Sequence, residues 1–379
     1  MKFGNLFSKK DKVEKVDLDD RFLKHGRVGQ GSMSKVWKAT DKRNQKEVAL
    51  KVLEKHKTIR YEARFPPEYN KPSEGTVAMS LKHPYIVDTY EFGITSEDEH
   101  YLAMDFIDGI GLSLLTEMQN EQMRRYRLRY MIQIGHALDY FHKKNWIHRD
   151  LCPRNIMVSK DNDIKLIDFG LVVPNTPDFR KPGNRTGTAN YMAPELIKRS
   201  PTDQRIDLFS YAVTCFEMYA KRLPWDAALT LDAVVQHINK PPEQLTKLVP
   251  SIDGQIAETI MKGLAISPNE RWQSASQMTN AFKEAEKRMV MERRRKNAAK
   301  KTAAPPSKST KKPAKKAAPV EEEFDLAALA KEEMAETESK RKARAEAISN
   351  SSVEMDALQP KKSPAPPTAK KRKKKRPKQ

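Results

Sequence analysis

Two short polar segments contain the residue types best suited to chemistry. They read HRDLCPRN at residues 148–155 and DFG at residues 168–170. Asp150 is suited to orient an attacking hydroxyl, while Asn155 and Asp168 offer the oxygen ligands that Mg²⁺ prefers. A chance polar loop would rarely supply all three groups at this spacing, so the two segments favour phosphoryl transfer.

Two further segments supply groups that could hold a triphosphate. Val28, Gly29 and Gly31 lie between two strand-like runs, and glycines without Cβ let backbone N–H groups approach a phosphate closely. Lys51 ends an apolar strand, where an ammonium needs an anionic partner, and Glu74 on the next helix can provide it. The glycine pair alone would also suit an ordinary β-hairpin.

The elements that must position these groups change in kind along the chain. Alternating apolar and polar residues predict strands over residues 21–52 and 85–107, with a helix over residues 73–82 between them. Longer helices are predicted over residues 121–143, 205–220, 255–264 and 274–293. Strands first and helices afterwards predict an α+β protein with two lobes.

Composition separates a folded part of the chain from a solvated part. The chain has 379 residues, of which 38% are hydrophobic and 32% charged, and all four tryptophans precede residue 297. Residues 297–379 hold 22 basic and 11 acidic residues, a net charge of +11 out of +21. This tail cannot bury enough apolar surface to offset its chain entropy, so we expect disorder, interrupted by a marginal helix over residues 321–347.

Charge and cysteine content narrow the classes of partner and compartment. A net charge of +21 and the lysine runs of the tail favour salt-dependent binding to nucleic acid or another polyanion. Two cysteines exclude a disulfide scaffold and fit a reducing compartment. With no apolar run long enough to span a membrane, we expect a cytoplasmic protein that the tail could hold at a nucleoid or in a nucleus.

In this order, the segments resemble the eukaryotic-type protein kinase family. The match runs over about residues 22–287 and includes APE at residues 193–195, Asp207 and Arg271. The resemblance implies the bilobal kinase fold, with ATP in the cleft and a divalent metal, Mg²⁺ or alternatively Mn²⁺, beside it. It also implies that Glu195 pairs with Arg271 and that Asp207 braces the catalytic loop.

The resemblance further implies a set of site residues. Met104 would be the gatekeeper beside the adenine, Asp105 and Ile107 would belong to the hinge, and Asp108 would lie near the ribose. The remaining nucleotide contacts would be Val28, Gly29, Gly31, Val36, Ala49, Lys51 and Met157. The catalytic set would be Lys51, Glu74, Asp150, Arg154 and Thr188, and the metal ligands would be Asn155 and Asp168.

Two positions depart from the serine/threonine pattern of this family. Cys152 stands where a lysine is typical, and Arg154 offers a compensating cation that resembles the tyrosine kinase pattern. The segment that begins near Thr188 instead resembles the serine/threonine form, with Thr188 placed to contact Asp150. We therefore expect transfer to serine and threonine hydroxyls of proteins, with a dual-specificity or tyrosine kinase left open.

Three smaller departures concern the upper lobe. Ser34 stands where a third glycine is usual, so the cover over the phosphates is expected to be looser. Ala78 and Thr89 occupy positions that usually carry larger apolar residues linking the two lobes. We expect these smaller or polar side chains to weaken the closed state.

Regulation is expected in the segment between the DFG and APE motifs. Arg149, together with Lys181 and Arg185, is expected to bind a phosphate on that segment. Thr186 and Thr176 are the candidate sites, with Thr186 preferred, and the phosphate is expected to come from autophosphorylation.

The predicted organisation has three parts. They are a disordered basic arm at residues 1–20, a kinase domain at residues 21–290 whose lobes meet near residue 108, and a basic tail at residues 291–379. Other classes stay open: a pseudokinase or scaffold tethered to nucleic acid through the tail, a protein that mainly binds nucleic acid, and a small-molecule phosphotransferase. The complete set of motif residues opposes the pseudokinase.

Overall fold

A six-stranded sheet forms the first lobe of the protein. The computed structural model describes residues 15–30, 34–183, 186–225, 234 and 239–302. The sheet order is β1-β5-β6-β4-β3-β2; β1 pairs parallel with β5, and the other neighbours are antiparallel. The strands are β1 (Lys15–Val16), β2 (Phe22–Gln30), β3 (Ser34–Asp41), β4 (Lys46–Leu53), β5 (Thr89–Thr95) and β6 (His100–Asp105).

The two faces of this sheet bury different sets of side chains. Val48, Leu50 and Val52 of β4 point to one face, where they form a small core with Phe22 and Tyr101. Strand alternation turns Ala49 and Lys51 to the opposite face. That second face meets the helices and the lower lobe, so the polar end of β4 is directed toward the junction of the lobes.

Three helices complete the upper lobe: α1 (Leu18–Arg21), α2 (Lys55–Glu62) and α3 (Glu74–Ser80). Helix α3 begins after Ser73, whose hydroxyl accepts the backbone N–H of Thr76 at 3.2 Å. It lies very close to β5, since a Cβ placed on Gly75 would stand 2.4 Å from the Phe92 ring. Glycine at this position therefore permits the close approach that brings α3 against the sheet.

The second lobe is mostly helical. Its elements are β7 (Gly109–Gly111), α4 (Leu112–Met118), α5 (Glu121–Lys143), β8 (Trp146–Ile147), β9 (Ile156–Ser159), β10 (Ile164–Leu166), β11 (Val173–Pro174), α6 (Pro177–Arg180), α7 (Pro194–Ile197), α8 (Arg205–Ala220), α9 (Leu245–Leu248), α10 (Gly254–Gly263) and α11 (Ala275–Thr302). Two small sheets, β10-β9-β7 and β11-β8, lie between the helices.

Helix α8 is the centre of this lobe because apolar residues surround it on most sides. Its buried residues include Leu208, Phe209, Val213 and Phe216, so it behaves as a core helix rather than a surface one. Helix α5 packs on α8 and on α11, and α10 packs on both α8 and α11. The bilobal α+β fold implied by the resemblance is confirmed.

Two predicted boundaries differ from the structure. Residues 15–20 were assigned to a disordered arm, but Lys15 and Val16 pair with Ile94 and Thr95 of β5, because the open edge of β5 accepts an added strand. At the other end, α11 continues through residue 290 to Thr302, since its Lys-, Glu- and Ala-rich sequence keeps a high helix propensity.

The tail beyond residue 302, with the helix predicted at 321–347, lies outside the described residues. Within the described ranges, no helix combines the length and apolar character needed to cross a membrane.

Candidate active site

A buried lysine joins two carboxylates at the junction of the lobes. Lys51 Nζ lies 2.6 Å from Glu74 Oε1 and 2.8 Å from Asp168 Oδ1. Glu74 opens α3, and the Asp168 oxygen also accepts the backbone N–H of Gly170 at 3.1 Å. The predicted Lys51–Glu74 pair is confirmed, and it connects β4, α3 and the DFG segment through a single ammonium group.

The charged groups in this cluster shift one another's pKa values. Burial opposes the charged form of Lys51, but the carboxylates of Asp168 and Glu74 outweigh it and raise the pKa of Lys51. Burial also opposes ionisation of Asp168, yet the ammonium of Lys51 holds the pKa of Asp168 below its ordinary value. Burial raises the pKa of Glu74, the less exposed of the two carboxylates in the cluster. The cluster therefore keeps its cation firmly protonated.

The catalytic loop is held in place by a buried aspartate. Both oxygens of Asp207 accept backbone N–H groups, from His148 and from Arg149, each at 2.8 Å. His142 Nε2 lies 3.0 Å from Asp207 Oδ2. Arg149 has φ of 67°, a left-handed conformation that a non-glycine residue adopts only when its surroundings enforce it. The predicted bracing role of Asp207 is confirmed.

Asp150 is fixed by two donors. Its Oδ2 accepts Asn155 Nδ2 at 2.9 Å, and its Oδ1 accepts the backbone N–H of Thr188 at 2.7 Å. Gly187 makes this approach possible: its φ is 134°, and a Cβ there would stand 2.6 Å from the Arg149 carbonyl oxygen. Thr188 was expected to contact Asp150, and it does so through its backbone rather than its hydroxyl.

A backbone contact ties this loop to the DFG segment. The carbonyl oxygen of Asn155 accepts the N–H of Ile167 at 3.1 Å, and Asp168 follows directly. Hydrogen bonds therefore join Asn155 to Asp150 through their side chains and to the residue before Asp168 through the backbone. The three oxygen-bearing side chains predicted from their spacing lie in one region, with Lys51 beside them.

The face of the sheet next to Lys51 is lined by residues predicted to contact a nucleotide. Val36 of β3 lies opposite Gly29 of β2 and Lys51 of β4, and Ala49 of β4 lies opposite Met104 of β6. Directly opposed residues share a face, as do residues two apart on a strand. The side chains of this face include Val36, Ala49, Lys51 and Met104.

The remaining predicted nucleotide contacts lie around this face. Val28 is 51% exposed, at a bulge of β2. Asp105 and Ile107 are partly buried in the connection between the lobes, and Met157 is partly buried on β9. Gly31 lies outside the described residues.

Asp108 has a partner of its own. Its Oδ2 lies 2.5 Å from Lys160 Nζ, and its carbonyl oxygen accepts the N–H of Lys160 at 3.3 Å. Both side chains are well exposed. The expected proximity of Asp108 to a ribose therefore stays a prediction, and any such contact would compete with this ion pair.

The two unusual residues of the catalytic loop both meet Thr188. Cys152 Sγ lies 3.8 Å from the Thr188 hydroxyl on the buried side, and an Arg154 guanidinium nitrogen lies 3.4 Å from it on the exposed side. Burial, with the nearby Asp150 charge, raises the pKa of Cys152 to about 11. The thiol is therefore neutral at physiological pH.

The APE segment is anchored by a buried arginine. Arg271 makes a two-pronged contact with Glu195, at 2.7 Å for each nitrogen–oxygen pair. Its guanidinium also donates to the carbonyl oxygens of Ala265 and Ile266. Full pairing of this kind stabilises a buried charge, and the predicted pair is confirmed.

A cation-lined cavity of about 230 Å³ lies beside the segment that follows the DFG motif. Its charged lining consists of Arg64, Arg149, Lys181 and Arg199, with one acid, Asp178, already paired with Lys181. Arg64 NH1 also lies 3.3 Å from the Thr186 hydroxyl. Arg149 and Lys181 are two of the three residues expected to bind a phosphate, and the third, Arg185, lies outside the described residues. No sequence pattern predicted that Arg64 and Arg199 would join them.

The small residues predicted at the lobe junction are both buried. Ala78 is 0% exposed, and Thr89 is 1% exposed with a hydroxyl that finds no partner among the described residues. A buried hydroxyl without a partner costs free energy. The expected weakening of the closed state by Ala78 and Thr89 stays a prediction.

Oxygen atoms remain available for a divalent cation. Asn155 uses Nδ2 to reach Asp150, and Asp168 uses Oδ1 to accept Lys51 and Gly170. Asn155 Oδ1 and Asp168 Oδ2 take no part in these hydrogen bonds. Magnesium commonly takes one or two protein oxygens and completes its shell with phosphate and water, so these two residues fit Mg²⁺ or Mn²⁺ shared with a triphosphate.

Comparison with known proteins identifies a family and several relatives. The chain matches the protein kinase domain family over residues 22–283. It is 28% identical over 277 residues to a probable serine/threonine-protein kinase of Clostridium acetobutylicum, covering 72% of this chain and 41% of that protein. It is 28% identical over 268 residues to the serine/threonine-protein kinase PknB of Mycolicibacterium smegmatis, covering 69% of this chain and 42% of PknB.

The chain spans about two fifths of the length of the curated relatives it matches. The family match nevertheless covers more than half of the chain, and it includes the HRD, DFG and APE segments. This chain belongs to the protein kinase domain family.

Proposed function

We propose that the protein transfers the γ-phosphoryl group of ATP to serine and threonine hydroxyls of proteins. The observation that carries this proposal is that Asn155 bonds to Asp150 and, through its backbone, to the residue before Asp168, whose carboxylate in turn contacts Lys51. Phosphoryl transfer depends mainly on positioning and on stabilising charge, and this set supplies both.

Each residue has a separate task. Asp150 orients the acceptor hydroxyl and accepts its proton, because its carboxylate is held by Thr188 and Asn155 at the end of the catalytic loop. Lys51, kept charged by its carboxylate partners, contacts the α- and β-phosphates. Asn155 and Asp168 hold Mg²⁺, or alternatively Mn²⁺, which neutralises charge on the transferring group when it is bound.

The preference for serine and threonine has two supports. The sequence from Thr188 to Glu195 follows the serine/threonine form, and the named relatives are serine/threonine-protein kinases. Arg154 is the observation that favours the alternative, a dual-specificity or tyrosine kinase. It takes the compensating position for the lysine that Cys152 replaces, where it would stabilise charge on the γ-phosphoryl group.

Autophosphorylation of Thr186 would complete the active state. The Thr186 hydroxyl lies 3.3 Å from Arg64, one of the residues that line the cation-lined cavity. A phosphate there would meet Arg64, Arg149 and Lys181, each of which can form charge-assisted hydrogen bonds. Arg64 follows α2 and precedes α3, so this contact would also link the phosphorylated segment to the helix that carries Glu74.

A second role concerns the basic tail. Residues 297–379 carry a net charge of +11, which favours salt-dependent, sequence-independent binding to nucleic acid or another polyanion. Such binding would tether the kinase domain near substrates at a nucleoid or in a nucleus and raise their local concentration. A protein that lacks residues 303–379 should keep phosphoryl transfer and lose DNA binding.

The test of the main proposal is phosphosite mapping after incubation with ATP and Mg²⁺, using a mixed protein substrate. We expect phosphoserine and phosphothreonine, with phosphate on Thr186 of the protein itself, and no phosphate with the Asp168→Asn variant. Phosphotyrosine as the main product would favour the alternative. Bound ATP with no transfer at all would support a scaffold.

A further inference from the structure

An exposed arginine stands next to the position where the acceptor hydroxyl must lie. Arg154 belongs to the catalytic loop, between Asp150 and Asn155, and its guanidinium lies 3.4 Å from the Thr188 hydroxyl. The backbone N–H of Thr188 in turn donates to Asp150. A protein substrate that brings its hydroxyl to Asp150 must therefore pass close to the Arg154 guanidinium.

This guanidinium has no carboxylate partner in the part of the chain that the structure describes. Its one side-chain hydrogen bond there goes to Thr188, through a single nitrogen. Its charge acts on the carboxylate of Glu217 of α8. Glu217 is partly buried and accepts the hydroxyl of Tyr191, so its charge is already engaged. Several donors of Arg154 thus remain available to a ligand.

Further cations lie near the approach to Asp150. Thr186, two residues before Thr188, lies against Arg64, and the adjoining cavity is lined by Arg64, Arg149, Lys181 and Arg199. A basic peptide approaching Asp150 along this side would meet repulsion, whereas an acidic peptide would be attracted. The local field thus agrees with the exposed guanidinium in the sign of charge that it favours.

We propose that Arg154 determines substrate specificity by binding a carboxylate side chain that flanks the acceptor serine or threonine. The protein would accordingly select acidic target sequences. This inference rests on the proposed kinase activity and adds the class of substrate to it. An arginine suits the role because its planar donors match a carboxylate in a two-pronged contact.

The compensating role expected for Arg154 makes a different prediction. An arginine that stabilised the γ-phosphoryl group would act on every substrate alike, because that group comes from ATP. An arginine that binds the peptide acts only on peptides that carry the matching charge. The two roles therefore separate in the dependence of kcat/KM on peptide sequence.

The experiment measures kcat/KM for a set of peptides that share one acceptor. Each of the three positions before and after the acceptor is occupied in turn by Glu, Gln or Lys, and the remaining positions stay neutral. The wild-type protein is compared with Arg154→Gln, Arg154→Glu and a control, Lys287→Glu. The control reverses an exposed charge on α11, where Lys287 pairs with Glu284.

At one flanking position at least, wild type and control should prefer Glu over Gln by about fivefold, the size expected for a partly exposed ion pair. Arg154→Gln should abolish this preference, and Arg154→Glu should invert it in favour of Lys. The inversion is the decisive result, because a lost fold or a lost γ-phosphoryl contact cannot produce it.

Two results would overturn the inference. One is equal preference at every position for wild type and both Arg154 variants. The other is a uniform fall in kcat/KM on all peptides, with ATP binding retained, which would assign Arg154 to the γ-phosphoryl group. A wild-type protein that binds ATP and phosphorylates no peptide would instead refute the proposed function itself.

Discussion

The ammonium of Lys51 lies 2.6 Å from the carboxylate of Glu74, and both side chains are almost fully buried. Glu74 is the first residue of α3, so the position of that helix decides whether Lys51 is held in place. Since Lys51 also contacts Asp168, movement of α3 would disturb the DFG segment as well. The ion pair thus couples the fold of the upper lobe to the proposed chemistry.

The first prediction concerns this pair. Glu74→Gln keeps the shape of the side chain and removes its charge, so Lys51 loses a charge-assisted hydrogen bond worth about 2 kcal/mol. We expect kcat/KM to fall by about 30-fold, with a smaller change in the unfolding temperature. Steady-state kinetics and thermal unfolding of the same preparation measure the two effects. Unchanged kinetics would show that Glu74 does not position Lys51 during catalysis.

The second prediction concerns the approach of α3 to the sheet. A Cβ on Gly75 would stand 2.4 Å from the Phe92 ring, so Gly75→Ala must displace the helix or the ring. We expect a loss of about 1–3 kcal/mol in the free energy of unfolding and a further fall in activity. Phe92→Ala in the same chain should restore part of both.

The matched control is Gly254→Ala. Gly254 begins α10, and nothing lies within 4 Å of a Cβ built there. This variant should keep both its stability and its activity. If Gly75→Ala behaved like the control, the close contact between α3 and β5 would not limit the position of Glu74.

The third prediction concerns the cation-lined cavity. Thr186→Ala should lower activity by about 30-fold, because it removes charge-assisted contacts worth about 2 kcal/mol between a phosphate and the cavity. Thr176→Ala is the matched control and should behave like wild type. Arg64→Gln should reduce the activation that phosphorylation brings. Phosphosite mapping that found Thr176 modified and Thr186 unmodified would reverse this assignment.

The fourth prediction concerns the reactivity of Cys152. Its pKa is raised to about 11, so the thiolate fraction at neutral pH is very small. Alkylation by iodoacetamide should be slow at neutral pH and should accelerate by about tenfold per pH unit between about pH 8 and 10. Mass spectrometry of the Cys152 peptide follows the reaction. Rapid labelling that levels off near neutral pH would reveal an activated thiol instead.

The site residues that belong to a sequence motif could be predicted, because the chemistry restricts both their type and their spacing. Lys51 and Glu74 are 23 residues apart, yet a buried ammonium requires an anion, and α3, the second α-helix after β4, supplies one. The long helices α5 and α8 were also predicted at their observed limits, since apolar periodicity defines them strongly.

Other features depend on approach distances that no local pattern encodes. Position 75 requires a glycine because the ring of Phe92, on strand β5, lies too close for a Cβ. The position of Arg64 beside Thr186 depends on how the upper lobe meets the segment after the DFG motif. The pairing of Lys15 and Val16 with β5 depends on an open sheet edge rather than on any property of residues 15–20.

The central claim is that Asp150 acts on the acceptor hydroxyl in a site that also binds ATP. The most direct test is single-turnover transfer from ATP and Mg²⁺ to a protein acceptor, comparing wild type with Asp150→Asn and measuring ATP binding in parallel. We predict that transfer falls by about 10²–10⁴-fold in the variant while ATP affinity stays within about twofold. Transfer at the wild-type rate by Asp150→Asn would contradict the account.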